Sequence, residues 1–254
     1  MSHFETFSQL HRDTKPFLLG NIWDVHSAKT VEASGYKAIG TSSLAVAKSW
    51  GYEDGEKIPF EMLLQLAARV VQSVTIPFSV DLEAGYSRKI EGVLENIRKL
   101  HDAGVVGINL EDTAATGQLQ SVGEFEKILS AVAEYISRNN LQLFLNIRTD
   151  AFLLNIPTAL GETLSRIKKY ENAGAGGIFV PCITSSNDIK EVVNATTLPV
   201  NVMCMPDLPG FEELSLLGVK RISMGPFLFN KVYKNLGELS KEINENKNLA
   251  AILS

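Results

Sequence analysis

Residues 76–87 read Ile76-Pro77-Phe78-Ser79-Val80-Asp81-Leu82-Glu83-Ala84-Gly85-Tyr86-Ser87, a short apolar strand that ends in two carboxylates and a glycine turn. Side chains alternate across a strand, so Asp81 and Glu83 are predicted to point the same way. A second apolar run, at residues 108–113, also ends in two acidic residues. The repeated pattern predicts neighbouring strands whose acidic ends lie at one edge of a sheet.

A weak internal repeat extends this pattern along the chain. Residues 32–40, 102–108, 172–180 and 217–225 each combine the end of a helical pattern, a glycine and a buried strand. Glycine adopts the left-handed conformation that ends a helix, so the repeat has a structural reason. Prolines, rather than glycines, precede two further strands.

The complete pattern predicts eight strands, at residues 17–23, 37–43, 78–83, 107–112, 143–150, 177–182, 199–203 and 221–226. The clearest helical patterns lie at residues 60–73, 89–101, 122–138, 159–172 and 187–194. Eight apolar strands that alternate with helices favour an α/β fold, a closed (β/α)8 TIM barrel. We expect one domain over residues 1–254, with a helical tail at about residues 230–254. An open doubly wound sheet is the alternative, but its glycine-rich fingerprint is absent after the first strand.

Composition argues against several classes of protein. The net charge of -5 disfavours nucleic-acid and anionic-membrane partners. The two cysteines have no metal-binding spacing and indicate a reducing compartment. The first twenty residues contain no secretory apolar segment, and no apolar run approaches the length of a membrane span. We therefore expect a soluble, cytoplasmic protein.

Charged side chains gather at the predicted carboxyl ends of the strands, where (β/α)8 barrels carry their active sites. Asp81 and Glu83 follow the third strand, Glu111 ends the fourth, and Arg148 lies near the end of the fifth. Crowded carboxylates repel one another, and a divalent cation stabilises such a cluster. Oxygen ligands without histidine favour Mg²⁺ or Mn²⁺ over zinc. The alternative is a set of solvated carboxylates that cap the following helices.

Five motifs at these strand ends resemble the isocitrate lyase / phosphoenolpyruvate mutase superfamily. They are Gly40-Thr41-Ser42-Ser43-Leu44, Trp50-Gly51-Tyr52-Glu53-Asp54, Asp81-Leu82-Glu83-Ala84-Gly85-Tyr86, Leu110-Glu111-Asp112 and Arg148-Thr149-Asp150-Ala151-Phe152. The resemblance covers residues from about 17 to 229 and implies the same barrel. It also implies a homo-oligomer, a dimer of dimers, in which the C-terminal helix is swapped between paired subunits.

The resemblance implies a metal site and a small-molecule 2-oxo acid substrate. Asp81 would ligate Mg²⁺ (or Mn²⁺) directly or through water, and Glu83 and Glu111 would hold its water shell. The metal would stabilise the enolate that forms when a C–C or C–P bond next to the ketone is made or broken.

The resemblance also implies a set of residues that contact the substrate: Ser42, Ser43, Leu44, Arg148 and Asn201. Trp23, at the end of the first strand, is a further candidate for the pocket wall. Arg148, Ser43 and Asp54 are the candidate catalytic residues, for charge neutralisation, oxyanion stabilisation, and gating or proton transfer. Capping by the serines and solvation of Asp54 are the alternatives.

The chain departs from the superfamily's specialised branches. The lyase signature Lys-Arg-Cys-Gly-His is absent, because residues 113–120 contain no cysteine, lysine or histidine. Mutases and phosphonopyruvate hydrolases use a lysine with an asparagine or threonine on this loop, and only Thr116 matches. Pro181 and Cys182 replace a histidine or glutamate of relatives.

These features predict a Mg²⁺-dependent lyase or hydrolase acting on a small 2-oxo (di)carboxylate, such as an oxaloacetate-like acid, through a metal-stabilised enolate. Two alternatives remain open. One is C–P chemistry on phosphonopyruvate or phosphoenolpyruvate, as a mutase or hydrolase. The other is a non-catalytic barrel that binds 2-oxo acids.

Overall fold

A computed structural model describes residues 1–114 and 116–253. Ala115, in the loop predicted to set specificity, and Ser254, at the end of the predicted tail, lie outside the described residues. The strands form a closed parallel barrel in sequence order, in which β8 pairs with β1. They are β1 Phe17–Ile22, β2 Ile39–Thr41, β3 Phe78–Asp81, β4 Gly107–Glu111, β5 Phe144–Arg148, β6 Gly177–Val180, β7 Val200–Met203 and β8 Arg221–Ser223. The predicted (β/α)8 barrel is confirmed, and the open-sheet alternative is wrong.

Helices cover the barrel and close its amino end. They are α1 His3–Leu10, α2 Val25–Ala33, α3 Ser43–Ser49, α4 Phe60–Val71, α5 Ile90–Asp102, α6 Val122–Arg138, α7 Ala159–Asn172, α8 Ser186–Asn194, α9 Phe211–Leu217 and α10 Phe227–Asn246. The patterns predicted at residues 122–138 and 159–172 have the observed bounds of α6 and α7. Within the described ranges, no helix combines the length and the apolar character needed to cross a membrane.

The glycines that were predicted to end helices have the required conformation. Gly35, Gly104, Gly174 and Gly218 have φ values between 89° and 100°. Only glycine adopts this conformation without a steric cost, so each helix stops there and the chain turns into the next strand. The internal repeat therefore corresponds to the α/β unit of the barrel.

Helix α1 closes the amino end of the barrel. Phe7 is fully buried and makes edge-to-face contacts with Phe17 and Phe144, at ring-centre distances of 6.2 and 5.7 Å. His11 stacks on Phe144 at 3.9 Å and is also buried. This aromatic plug leaves the carboxyl end of the barrel as the open end.

A polar layer fills the barrel above this plug. Asn146 donates to the side-chain oxygens of Asn109 and Asn201, at 2.9 and 3.3 Å. Arg221 is almost fully buried, and its Nη2 donates to Asn109 Oδ1 at 3.3 Å. The layer forms the floor on which the strand-end carboxylates lie.

Candidate active site

Carboxylates from β3 and β4 meet at the open end of the barrel. β3 ends at Asp81 and β4 at Glu111, and both side chains are buried. Glu83 lies beyond the end of β3, with a left-handed φ of 50°, so the strand-alternation argument for its direction is wrong. Glu83 reaches the same region through this turn, and its carbonyl accepts the amide hydrogen of Glu111 at 2.9 Å.

The guanidinium of Arg148 lies among these carboxylates. Its Nη1 is 2.9 Å from Glu111 Oε2 and 3.8 Å from Asp81 Oδ2. Its Nε and Nη2 donate to the two oxygens of Asp150, at 2.6 and 3.0 Å. The three carboxylates outweigh the effect of burial, so the pKa of Arg148 is raised well above its usual value. Arg148 is thus an ion-pair partner of the cluster whose side chain also reaches the cavity.

Burial raises the pKa of each clustered carboxylate. The pKa of Asp81 rises through burial, against the opposing charge of Arg148. Burial and the Asp81 charge raise the pKa of Glu83 to about 8, and burial raises that of Glu111 well above its usual value. An additional positive charge at this point would favour the ionised forms.

The donor set fits a hydrated magnesium ion rather than a metal enclosed by protein. Within residues 1–114 and 116–253, no three histidine, cysteine, aspartate or glutamate side chains converge to hold a metal alone. Asp81 Oδ1 is buried without a hydrogen-bond partner, whereas both oxygens of Glu83 accept hydrogen bonds, from Glu56 N and Tyr86 Oη. Magnesium keeps several of its waters, so one direct carboxylate with outer carboxylates suffices.

A cavity of about 170 Å³ lies beside Asp81 and Arg148. Its polar side includes the predicted Ser42, Ser43 and Leu44 segment and Asp54. Its other wall is apolar and is formed by Leu153, Phe179, Pro181, Met203 and Pro226. An adjoining cavity of about 300 Å³ shares Asp54 and is lined by Glu83 and Glu111. Two larger cavities flank α1 at the opposite end of the barrel, and neither is lined by the clustered carboxylates or by Arg148. The candidate site is therefore identified by its charged lining residues and not by its volume.

The serine segment begins α3. Ser42 is the N-cap, and its side chain accepts the amide hydrogen of Ala45 at 3.4 Å. The Ser42 amide donates to the Ile22 carbonyl at 3.1 Å, so it is already used within the barrel. Ser43 lies beside Asp81, and its side chain opposes the rise in the Asp81 pKa. Ser43 and Leu44 therefore remain the better-placed donors toward a ligand.

Two predicted contact residues lie outside the cavity lining. Trp23 is buried, and its ring packs edge-to-face on Phe229 at 5.2 Å, because the chain leaves β1 at Ile22. Asn201 lies in the polar layer below, where its Nδ2 donates to the carbonyls of Val202 and Arg221. In this structure both side chains support the barrel, and their predicted contacts with a substrate stay predictions.

Asn21 and Thr41 also line the cavity, and neither was predicted to have a role there. Thr41 Oγ1 accepts the amide hydrogen of Asp81 at 2.7 Å, and Asn21 donates to the Thr41 carbonyl at 2.9 Å. Asn21 Oδ1 accepts the amide hydrogens of Met224 and Gly225, which ties β1 to the end of β8. The sequence signals were their positions at polar strand ends and, for Thr41, its place in the Gly40–Leu44 motif.

Asp112 points away from the cavity, as expected for the neighbour of Glu111 on a strand. Its Oδ2 accepts hydrogen bonds from Arg166 at 3.0 Å and Tyr170 at 2.8 Å, and its Oδ1 accepts the Asp150 amide hydrogen at 3.1 Å. It therefore supports Asp150, the partner of Arg148, from behind.

The sequence matches the phosphoenolpyruvate phosphomutase family over residues 7–244, a span that contains the barrel and all of these groups. The chain belongs to this family. The predicted superfamily membership is thereby confirmed.

Two curated relatives illustrate its place among phosphomutase-family proteins. An uncharacterised protein of Mycobacterium tuberculosis is 34% identical over 220 residues, which cover 87% of this chain and 81% of the relative. An oxaloacetate decarboxylase of Bradyrhizobium sp. is 28% identical over 212 residues, which cover 80% of this chain and 70% of the relative.

Solved structures have the same barrel. A phosphonomutase candidate from Burkholderia cenocepacia superposes with a TM-score of 0.90 at 37% identity, covering 94% of this chain and 99% of that one. A phosphonopyruvate hydrolase in complex with oxalate and Mg²⁺ superposes with a TM-score of 0.87 over 98% of this chain and 89% of that one. At 18% identity, the second match is a likeness of fold alone.

Proposed function

We propose that this phosphomutase-family protein is a divalent-metal-dependent enzyme that cleaves a C–C bond of a small 2-oxo dicarboxylate, and that it decarboxylates an oxaloacetate-like acid. One observation carries the proposal: an acidic cluster with its arginine and an apolar wall line the same small cavity. The similarity to a curated oxaloacetate decarboxylase supports the same assignment.

The size of the cavity favours a small acid. Its volume of about 170 Å³ equals that of roughly six water molecules in the liquid. A four-carbon 2-oxo acid is compatible with this space.

Mg²⁺ or Mn²⁺ would be held by Asp81, with Glu83 and Glu111 bonded to its waters. When bound, the cation supplies Lewis-acid stabilisation of the negative charge that develops on the 2-oxo oxygen. The partnerless buried Oδ1 of Asp81 supports this arrangement. So does the Mg²⁺ in the oxalate complex of the phosphonopyruvate hydrolase, a protein with the same fold.

Arg148 neutralises and orients the carboxylate next to the ketone, and the Ser43 and Leu44 amides face the developing oxyanion. The second carboxylate lies against the apolar wall, where Phe179 and Pro181 exclude water from it. Desolvation disfavours its localised charge, and loss of CO₂ transfers that charge to the enolate. The C3–C4 bond breaks, CO₂ leaves, the electron pair stays on C3 of the enolate, and C3 then takes a proton that the exposed Asp54 relays from solvent.

Hydrolysis and C–P chemistry are less well supported. Hydrolysis needs a base beside the attacked carbonyl, but the end of β6 carries Pro181 and Cys182, a thiol whose pKa is raised by burial. A phosphonate needs cationic partners, and Arg148 is the positively charged residue that lines the smaller cavity, whereas Lys57 lines the adjoining one. The loop at residues 113–120 contains no lysine or arginine.

The products of oxaloacetate with Mg²⁺ and the protein test the proposal. Proton NMR should show pyruvate formed faster than in a blank with Mg²⁺ alone, without acetate and oxalate. Exchange of the pyruvate methyl protons in heavy water should require both protein and metal. Acetate with oxalate would instead support hydrolysis. Metal-dependent oxalate binding with neither exchange nor turnover would support a barrel that only binds.

We also propose that α10 mediates a homo-oligomer, as the superfamily resemblance implies. The helix presents apolar side chains that are about half exposed, at Val232, Tyr233 and Leu236. Burying such side chains in a partner would stabilise the assembly. Light scattering of the full chain should show more than one subunit, and Leu236→Glu should reduce the mass.

A further inference from the structure

We propose that Glu56 is a positioning residue that sets Asp54 and Glu83 in the active site. Glu56 lies on the loop between α3 and α4, two residues after Asp54. The inference rests on the proposed function, which assigns proton delivery to Asp54 and the metal's water shell to Glu83. It extends that function to a residue outside the five motifs.

Glu56 joins two loops at the carboxyl end of the barrel. Its amide hydrogen is donated to Glu83 Oε2 at 2.9 Å, and its Oε1 accepts the amide hydrogen of Tyr86 at 2.6 Å. Tyr86 Oη completes the ring by donating to Glu83 Oε1 at 2.8 Å. Arg88 adds an ion pair to Glu56 Oε2 at 2.7 Å. One oxygen of Glu83 is thereby held by the Glu56 amide. The other is held by the Tyr86 hydroxyl, and the Glu56 carboxylate in turn holds the Tyr86 amide.

The three residues of this ring have an unusual backbone conformation. Glu56, Glu83 and Tyr86 have φ values of 60°, 50° and 55°, and none is a glycine. Non-glycine residues keep a left-handed conformation only where the surroundings hold them there, and such positions concentrate at functional sites. Here each of the three residues is held by hydrogen bonds to another member of the ring.

Burial singles out Glu56 within its loop. Residues 51–55 are exposed, whereas the Glu56 side chain is 6% exposed. Asp54 lines both cavities of the site, and its charge acts on Asp81 and Glu83. Beyond Glu56 the chain is anchored by the buried Ile58 and by Phe60, whose ring packs on Tyr86 at 5.9 Å. Glu56 therefore provides the nearest buried side chain to Asp54 on an otherwise exposed segment.

Glu56→Ala and Glu56→Gln test the role when they are compared in the full-length protein. Alanine should weaken Mn²⁺ binding in the presence of oxalate by about 10–100-fold, as loss of an outer-shell partner does. It should also lower kcat by a similar factor while KM changes less than about threefold, because the cavity wall is intact. Glutamine should restore both within about fivefold, since its amide oxygen can accept the Tyr86 amide hydrogen.

Two matched controls separate positioning from charge and from general stability. Arg88→Ala removes an ion pair whose arginine is 59% exposed and should change either quantity less than about twofold. Glu53→Ala removes an exposed carboxylate from the same loop and should behave alike. The proposal would be overturned if Glu56→Ala kept the wild-type Mn²⁺ affinity and kcat. It would also be overturned if the alanine and glutamine variants lost both equally while their melting temperatures were equal.

Hydrogen exchange of the wild-type protein provides a test that needs no variant. The amides of Glu56 and Tyr86 should exchange at least tenfold more slowly than those of Glu53 and Asp54. Equal exchange rates would overturn the proposal even if the variants failed to fold. If the wild-type protein turns over no 2-oxo acid, the proposed function fails, while exchange and Mn²⁺ binding still decide the role of Glu56.

Discussion

Arg148 and Asp150 form a bidentate ion pair at the carboxyl end of β5, with donor–acceptor distances of 2.6 and 3.0 Å. Asp150 is held in turn by the Thr113 hydroxyl at 2.7 Å, and its amide donates to Asp112 at 3.1 Å. The pair uses the Nε and Nη2 edge of the guanidinium and leaves Nη1 facing Glu111 and the cavity. A bidentate pair fixes both the position and the plane of an arginine.

Asp150→Ala should therefore lower kcat/KM for oxaloacetate about 100-fold. Without its partner, the guanidinium of Arg148 is free to turn fully onto Glu111 and Asp81. Arg148→Lys should cause a loss of the same order, because an ammonium group cannot bind two carboxylates in one plane. Steady-state kinetics at saturating Mg²⁺ measures both variants. Wild-type kcat/KM in either one would contradict this role for the pair.

The Arg166–Asp112 pair should contribute to stability. Arg166 and Asp112 are almost completely buried, so Arg166→Met would leave a carboxylate without its cation inside the protein. The expected loss in the free energy of unfolding is about 3 kcal/mol, measured by urea denaturation. Glu162→Ala is the control, because this partner of Arg166 is 34% exposed and should cost less than about 1 kcal/mol. Equal losses of unfolding free energy in the two variants would show that burial of the ion pair does not determine its contribution to stability.

His11 should make the protein less stable in acid. Burial, helped by the charge of Arg221, lowers its pKa from 6.5 to about 3, so the folded protein keeps the ring neutral. The unfolded chain binds a proton between these two values that the folded chain does not. The contribution of His11 to stability is therefore complete above pH 6.5 and is lost as the pH falls toward 3.

Urea denaturation between pH 6 and pH 4 checks this dependence. His11→Phe should reduce the slope of the unfolding free energy against pH by about 1.4 kcal/mol per pH unit. Phenylalanine keeps an aromatic ring against Phe144, so the comparison isolates the titration. Identical slopes in the two proteins would place the acid sensitivity elsewhere.

The barrel could be predicted because its repeat depends on local chemistry. Gly35, Gly104 and Gly174 end helices through a conformation that glycine favours, and apolar strands follow them. Several strands were predicted to extend beyond their observed carboxyl ends, because the conformation that ends them is not encoded by a glycine. Glu83 and Cys182 have φ values of 50° and 62°, which end the strand pattern, but nothing in a non-glycine side chain announces this conformation.

The candidate site could be predicted only in part. The motifs located Asp81, Glu111 and Arg148, because their charges stand at the ends of apolar strands. The supporting contacts join residues far apart in sequence, such as Asn21 with Met224 and Glu56 with Glu83, and no spacing encodes them. The direction of the Trp23 side chain could not be predicted either, because it depends on the residue at which β1 stops, Ile22.

Calorimetric titration of oxalate in the presence and absence of Mg²⁺ tests the metal-dependent 2-oxo acid site most directly. The wild-type protein should bind oxalate only with Mg²⁺ present. Asp81→Ala should weaken that binding at least 100-fold, and Glu83→Gln and Glu111→Gln should weaken it about tenfold each. Mg²⁺-dependent oxalate binding of wild-type strength in Asp81→Ala would contradict the assignment of the carboxylate cluster as the metal site.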